Sequence, residues 1–259
     1  MLREAHVTEN RVLMKKGKAM SFIKSGWDAV QDFDAPKEKK NYPPKRFWMP
    51  AEVTKRIMFL DEDPACLFEH NLWSITKTQR KEVCLKKNNF GPECPICDAE
   101  LWPSFTGFFS VIDMGDVTPD GLKGFVSDKG INYQFGRKLY GAKRGGRDKP
   151  GVLTKIKRLA DKKGGLTGTV WDVYRSGSKV ESVGDEFEFV EKVAKKSWKK
   201  YLTEAGANPE LLELEPFDYD AVFQPSSVEE LRALIPGAGV PTNRVQTLVV
   251  DDDEPPFEM

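Results

Sequence analysis

One histidine and three cysteines of this chain stand in a spacing that is typical of a metal site. They are His70, Cys84, Cys94 and Cys97, separated by 13, 9 and 2 residues. Two cysteines with two residues between them present both sulfurs from one tight turn, and the longer intervals let a hairpin return the other two ligands to it. The spacing therefore predicts one bound Zn²⁺. Because catalytic zinc usually keeps one position for water, four protein ligands indicate a structural site.

The chain has two His and four Cys in all, so only His6 and Cys66 remain as other candidate ligands. Cys66 competes as a replacement for one of the four predicted ligands. In a plainer interpretation, Cys84 or Cys66 is a buried core thiol and His70 is a surface residue. His6 falls in a segment that we expect to be an exposed arm, and no role is predicted for it.

The N-terminal sequence, Met1-Leu2-Arg3-Glu4, lacks the apolar core of a signal peptide. We therefore expect a cytoplasmic location, where a reducing environment favours metal binding over a disulfide for a Cys-x2-Cys pair. The chain also has no run of about 18 apolar residues, so no association with a membrane is expected.

The formal net charge of zero conceals two segments of opposite sign. Residues 129–165 contain twelve Lys or Arg against two Asp, a net charge of +10. Residues 203–259 contain thirteen Asp or Glu against two Arg, a net charge of −11. The basic segment is expected to attract polyanions. The acidic segment is expected to repel them, to mimic them or to bind basic partner proteins.

Composition divides the chain into four expected parts. Residues 1–44 form an N-terminal arm, and residues 45–192 form a β-rich core with a zinc-binding insertion at about residues 66–103. Residues 193–240 form a helical C-terminal extension, and residues 241–259 form an acidic flexible tail.

Short β-like segments predominate in the core. In residues 167–175 the alternation places Trp171 and Val173 on one face and Val170, Asp172 and Tyr174 on the other. This pattern predicts a fold that is mainly β with added helices, and a small barrel rather than a parallel α/β sheet. Strands are expected at residues 46–49, 55–60, 104–113, 131–135, 167–175 and 186–190, and helices at residues 152–160, 191–205 and 228–234.

Aromatic and basic residues interleave across residues 132–147. A protein that binds single strands uses cations along the phosphates and aromatic rings against unpaired bases. In the alternative interpretation, the aromatic residues belong to the core and the charges to a solvated loop. The candidate DNA-contacting residues are Tyr133, Phe135, Arg137, Lys138, Tyr140, Lys143, Arg144 and Arg147, together with Trp73, Phe105, Trp171 and Tyr174.

The order and spacing of the four metal ligands, with β-like segments on both sides, resemble the T-even-type bacteriophage single-stranded DNA-binding (helix-destabilising) proteins. Residues 133–138 are similar to the aromatic and basic strand that follows the zinc subdomain in that family. The resemblance covers about residues 45–192 and the tail. It implies an OB-fold barrel with an inserted zinc subdomain, and binding of single-stranded DNA during replication, recombination and repair in the cytoplasm of the bacterial host.

The two ends of the chain carry further expectations about partners. Asp251, Asp252, Asp253, Glu254 and Phe257 are similar to the acidic Pro-Phe tip of bacterial single-stranded DNA-binding proteins, although two residues follow Phe257 here. The similarity implies docking of replication and recombination proteins. The family's arm carries a basic motif for self-association on DNA, which residues 14–18 match loosely.

No enzyme activity is expected. The Gly-rich residues 141–151 lack the Gly-Lys-Ser/Thr of a phosphate-binding loop, and no His-Glu-x-x-His occurs. Two other functional classes stay open alongside single-strand binding: a zinc-ribbon transcription or RNA-binding factor, and a zinc-dependent nuclease or primase component. A preference for single strands over a specific duplex separates the first class from a transcription factor.

Overall fold

The structure is a computed structural model. The chain divides into Met1–Asn41 and Tyr42–Met259, and every described residue lies in the second unit. Only the backbone is described for residues 125–127 and 130–132. The described ranges are residues 44–78, 80–127, 130–132, 135–146 and 150–235.

Ten strands make up most of the described regular structure. They are β1 (Thr54–Phe59), β2 (Ala65–Asn71), β3 (Lys81–Val83), β4 (Ser104–Thr118), β5 (Gly121–Leu122), β6 (Phe125–Ser127), β7 (Gly130–Asn132), β8 (Gly136–Lys143), β9 (Thr169–Tyr174) and β10 (Glu186–Lys192).

The helices are short apart from one. They are α1 (Trp73–Thr76), α2 (Pro95–Asp98), α3 (Val152–Lys163), α4 (Trp198–Glu204), α5 (Tyr219–Val222) and α6 (Val228–Ala233), with 3₁₀ turns at Lys195–Ser197 and Pro209–Leu211.

Eight strands form one antiparallel sheet around the long strand β4. Strands β2 and β1 follow one another along the same edge of β4, and β8 pairs with the opposite edge. The path continues from β1 to β9 and β10, while β6 and β7 form a separate hairpin. Arg46 makes an isolated parallel bridge to Leu139 in β8. Within the described residues the sheet stays open, so it is a mainly antiparallel β-sheet with a few helices.

Both faces of this sheet are buried, which explains the nearly continuous apolar runs in its central strands. Ile57 and Phe59 of β1 enter one core together with Trp171, whereas Met58 enters a second core on the opposite face with Trp198. Alternate side chains of a strand point to opposite faces. The alternation predicted for residues 167–175 agrees with the structure.

Helix α3 covers the first core, as its spacing predicts. Val152 and Ile156 are buried, and Leu159 packs against the same cluster. The helix ends at Gly164, which adopts the left-handed conformation with a φ of 66°. Glycine accepts this conformation without a steric penalty, so the helix stops where the sequence places two glycines.

Several element predictions differ from the structure. Residues 46–49, expected as a strand, make only the isolated bridge at Arg46. The helix expected at residues 191–205 begins only at Trp198, because β10 extends to Lys192 and stays paired with β9. Strand β8 overlaps residues 136–138 of the segment that resembles a family strand but lies outside the strands expected from the β-like pattern, because its Gly and Lys content is unfavourable for a strand. Eight paired positions along β4 supply the stabilisation that local composition lacks.

Candidate metal centre

The four predicted ligands come from three neighbouring elements. His70 lies near the end of β2, and Cys84 directly follows β3, which pairs with β2. Cys94 is the residue before α2, and Cys97 lies within this one-turn helix. Pro95 occupies the first helical position, where its fixed φ favours the turn that presents both sulfurs. The hairpin of β2 and β3 therefore returns the first two ligands to the Cys-x2-Cys turn.

Three of the six donor–donor distances are close to those around a tetrahedral Zn²⁺. Cys84 Sγ lies 3.6 Å from Cys97 Sγ, and His70 Nε2 lies 3.4 Å from Cys94 Sγ and 3.8 Å from Cys97 Sγ. All four donors fall within 4.8 Å of one another. Tetrahedral bonds of ordinary length around zinc give donor separations of about 3.5–3.8 Å. The cluster is therefore compatible with one zinc ion.

The imidazole of His70 is oriented for metal binding. Its Nδ1 lies 2.8 Å from the carbonyl oxygen of Leu101. A proton on Nδ1 donated to this carbonyl leaves the lone pair of Nε2 directed at the sulfurs. Burial lowers the pKa of His70, although the Leu101 carbonyl acts in the opposite direction. The neutral imidazole, the form that binds metals, is thus favoured.

The three thiols differ in their acidity. Burial raises the pKa of Cys97, and its neighbours Cys84 and Cys94 raise it further, to about 12. Burial likewise raises the pKa of Cys84. Burial also acts to raise the pKa of Cys94, but N–H donors of Cys97 and Leu85 outweigh it and leave that pKa below its ordinary value. A divalent cation is needed to hold all three as thiolates.

A local hydrogen-bond network fixes the loop that carries Cys84. The Asn88 amide donates to the carbonyls of Phe68 and Cys84 at 2.8 Å each, and its oxygen accepts from the Phe68 N–H at 2.9 Å. One side chain thereby fastens the loop to β2. Cys66, the competing ligand, is exposed on β2 and lies outside the four-donor cluster. His70 is fully buried, so it is not a surface residue.

Helix α6 packs against this cluster, a contact that the sequence patterns did not predict. Leu231 is fully buried among Cys84, Cys94 and Ile96. The helix begins with a capping box in which Ser227 and Glu230 bond reciprocally, which accounts for its start. Beside it, Ser226 donates to Glu82 at 2.8 Å and Arg232 pairs with Glu93 at 2.9 Å. The C-terminal extension is therefore part of the metal subdomain's core.

Replacing Leu231 with Ala should destabilise this core by about 2–5 kcal/mol, because a buried leucine leaves a cavity when truncated. Urea unfolding monitored by circular dichroism measures the loss. Leu211, which is 81% exposed, provides the matched control, and its replacement by Ala should cost less than about 0.5 kcal/mol. Equal stability of the two variants would show that α6 contributes nothing to the metal subdomain.

A buried ionic cluster lies beside the metal ligands. Glu69 precedes His70 in β2 and is bound by both guanidinium N–H₂ groups of Arg46, at 2.8 and 3.3 Å. Lys81 Nζ lies 3.6 Å from the same carboxylate. The Arg46 guanidinium also lies 5.2 Å from the Phe108 ring centroid. These contacts tie the segment before β1 to the sheet next to the metal subdomain.

The predicted DNA-contacting residues occupy very different positions. Tyr140 and Trp171 are buried in the first core, where the Tyr140 hydroxyl donates to the Val183 carbonyl at 2.9 Å. Neither ring has a face available for a base, because the sheet and α3 enclose both. Both rings therefore fill the core. This outcome agrees with the alternative interpretation, in which the aromatic residues belong to the core.

The other predicted aromatic residues are partly accessible. Phe105 packs edge-on against Phe68 at 5.1 Å, and Phe135 packs partly buried against the second core. Trp73 is 36% exposed at the start of α1, and Tyr174 is half-buried at the end of β9. Tyr133 lies outside the described residues.

The predicted basic residues also divide into groups. Lys143 and Arg144 are exposed at the end of β8, and Lys138 is half-buried. Arg137 is enclosed by the C-terminal extension, where it pairs with Glu213 and stacks on Phe217. Arg147 lies outside the described residues, as do the tail residues Asp251, Asp252, Asp253, Glu254 and Phe257.

Two exposed aromatic residues of the metal subdomain were missing from the predicted site. Trp102 is 75% exposed and Phe90 is 57% exposed. Phe90 precedes a glycine and Trp102 precedes a proline. These neighbours do not distinguish an exposed aromatic residue from a buried one, so the sequence gives no signal for either position.

Comparison with known protein families, with curated proteins and with solved structures found no match for this chain. The helices in the described part of the chain are too short or too polar to cross a bilayer.

Proposed function

We propose that this protein binds single-stranded DNA with little sequence preference during replication, recombination and repair of phage DNA in the host cytoplasm. The observation that carries the proposal is the four-ligand cluster of His70, Cys84, Cys94 and Cys97. Its order and spacing are the specific part of the resemblance to the phage single-stranded DNA-binding proteins, and its four donors cluster within 4.8 Å of one another, which is compatible with one zinc ion. Four protein ligands leave no open position, so the zinc has a structural role and no catalytic step is assigned to it.

The order of elements supports an OB fold. If β1 and β2 count as one interrupted strand, the chain runs through β4, β8, helix α3, β9 and β10. Five strands with a helix between the third and fourth are the arrangement of that fold, and the metal insertion falls between its first two strands. The parallel bridge from Arg46 to Leu139 and the bond from the Met49 N–H to the Ser182 carbonyl, 3.0 Å long, place residues 46–49 between β8 and the loop before β10.

Exposed cations supply the attraction for phosphates. Lys143 and Arg144 end β8, and the outer side of α3 presents Lys157, Arg158 and Lys162. Cations along a strand's backbone bind without reading sequence, which fits a protein that coats single strands. The acidic tail, residues 241–259, is proposed to dock replication and recombination proteins, and the arm to support self-association on DNA.

Binding to labelled oligo-dT should weaken with salt. If about four phosphates are neutralised, a plot of log K against log salt should have a slope of roughly −3, from about −0.7 per phosphate on single strands. Fluorescence anisotropy at several salt concentrations measures the slope. Duplex DNA of equal length is the control and should bind much more weakly.

A flat salt response, or tighter binding to the duplex, contradicts the proposal. Strong preference for one duplex sequence, or for RNA, would favour the zinc-ribbon transcription or RNA-binding alternative.

A further inference from the structure

Residues 210–223 of the C-terminal extension, which we call the strap, cross one face of β4 and β8 and include helix α5 and the end of the 3₁₀ turn at Pro209–Leu211. In β4 and β8, Ser110 is opposite Leu139 and Ile112 is opposite Arg137. Residues opposite one another across an antiparallel pair share a face. Phe108, Ser110 and Arg137 therefore lie on the same face, and the strap contacts all three of them.

The first half of the strap places carboxylates on cations. Glu210 lies 3.4 Å from Lys199, and Glu215 lies 3.0 Å from Lys195. Between them, Glu213 pairs with Arg137, whose guanidinium also donates to the Glu215 carbonyl at 2.7 Å. Three anions thus meet three cations within six residues. Arg137 belongs to β8, whereas Lys195 and Lys199 belong to the 3₁₀ turn and to α4, and the phosphates of a nucleic acid would pair with the same cations.

Aromatic rings accompany these charges. The Arg137 guanidinium lies 4.0 Å from the Phe217 ring centroid, and the Phe223 ring lies 4.4 Å from the Phe108 ring. Guanidinium groups and aromatic rings are the surfaces on which unpaired bases stack. The strap therefore contacts this face through anion pairing and aromatic stacking, the two interactions that single-stranded DNA would also make.

The two halves of the strap are held unequally. In the second half, the Tyr219 hydroxyl lies 2.9 Å from both Asp61 and Ser110, and Asp61 also accepts from the Ser110 N–H. In the first half, the carboxylates of Glu210, Glu213 and Glu215 are 72–76% exposed. Exposed ion pairs contribute little and are screened by salt. Leu212 and Leu214 also pack against the second core, so displacement of residues 210–217 must release two partly buried leucines as well as the three ion pairs, while Tyr219 keeps the segment tethered.

We propose that the face of β4 and β8 beneath the strap is a binding site for single-stranded DNA, and that residues 210–217 occupy it in the free protein as an intramolecular competitor. This inference rests on the proposed function and specifies its surface: in an OB fold, the second and third strands, here β4 and β8, present the face that binds oligonucleotides. DNA displaces the three carboxylates and takes over Arg137, Lys195 and Lys199.

The test compares two triple Glu→Gln variants of the full chain. The strap variant carries E210Q, E213Q and E215Q. The control variant carries E52Q, E186Q and E188Q, three exposed acids on the β9 and β10 side that alter the net charge equally. Oligo-dT should bind the strap variant about tenfold more tightly than the control variant, since three surface ion pairs no longer compete. Equal or weaker binding by the strap variant overturns the inference.

Hydrogen exchange on the wild-type chain gives an independent reading that needs no substitution. Oligo-dT should accelerate exchange in peptides covering residues 210–217, including the Phe217 N–H, which donates to Ser110 at 2.8 Å in the free protein. Slower exchange there means that DNA binds over the strap, which overturns the inference. If neither the wild type nor either variant binds oligo-dT at low salt, the proposed function itself fails. Thermal melts verify that both variants fold, and the single variant E213Q substitutes for a triple variant that does not.

Discussion

Replacing Cys94 with Ala should remove the bound metal and unfold the metal subdomain, residues 66–103. Cys94 is fully buried and its sulfur lies 3.4 Å from His70 Nε2, and within the described part of the chain only His70, Cys84 and Cys97 share the cluster with it. In small zinc domains the free energy of metal binding, about 10–16 kcal/mol, is also folding free energy. Metal analysis should fall from about one zinc per chain to near zero, and proteolysis should cut within the subdomain.

Cys66→Ala is the matched control for this substitution. Cys66 is exposed and lies outside the four-donor cluster. Its replacement should leave zinc content and protease resistance unchanged. Retention of zinc by the Cys94 variant, or its loss by the Cys66 variant, would contradict the ligand assignment.

The same centre should bind metal more tightly as the pH rises. The raised pKa values of Cys84 and Cys97 keep both thiols protonated at neutral pH without metal. Binding must then release these protons, so protons and metal compete. A chelator competition at pH 6 and at pH 8 should show the higher affinity at pH 8, and simultaneous proton release in unbuffered solution should accompany binding.

Replacing Glu69 with Gln should reduce the free energy of unfolding at pH 7 by about 3 kcal/mol. Glu69 is buried, and the Arg46 and Lys81 charges outweigh the effect of burial and lower its pKa from 4.5 to about 2. A depression of this size corresponds to about 3 kcal/mol. The substitution also leaves the Arg46 guanidinium buried beside a neutral group, which is costly for a buried ion pair.

The pH dependence gives the sign of this contribution. Because the folded-state pKa of Glu69 lies below the unfolded value, its stabilisation is present in full above about pH 4.5. It is lost as the pH falls from there towards about 2. Chemical unfolding across this range should show a steeper loss of stability for the wild type than for the E69Q variant. The exposed Glu186 supplies the control, and E186Q should change the stability by less than about 0.5 kcal/mol.

Parallel pH profiles of the wild type and E69Q would contradict the assignment of the lowered pKa to Glu69. The thermodynamic readout requires reversible unfolding, so refolding after acid exposure is measured alongside it.

The metal centre was predictable because its ligands are rare residue types at short spacing. With only two His and four Cys in the chain, the assignment had few alternatives, and local turns bring such residues together. The orientation of His70 was not predictable, because it depends on a backbone carbonyl, that of Leu101, which carries no sequence signal.

The aromatic residues proved much harder to assign. Tyr140 and Arg137 both lie in β8, yet one is in the core and the other is under the strap. Alternation along a strand separates the two faces, but it does not say which face is covered or by what. Both faces of this sheet are covered, so alternation between polar and apolar residues is weak in its central strands.

The sequence by itself determined the set of four candidate metal ligands, the β-rich character of the core and the position of α3, because each depends on residue type and spacing over a few turns. The tertiary structure alone decided that α6 packs on the metal subdomain and that the strap covers β4 and β8. Those contacts join residues far apart in the chain, such as Asp61 and Tyr219, which are separated by 158 positions. No local pattern encodes such a pairing, because burial of a side chain depends on which distant segment comes to lie over it.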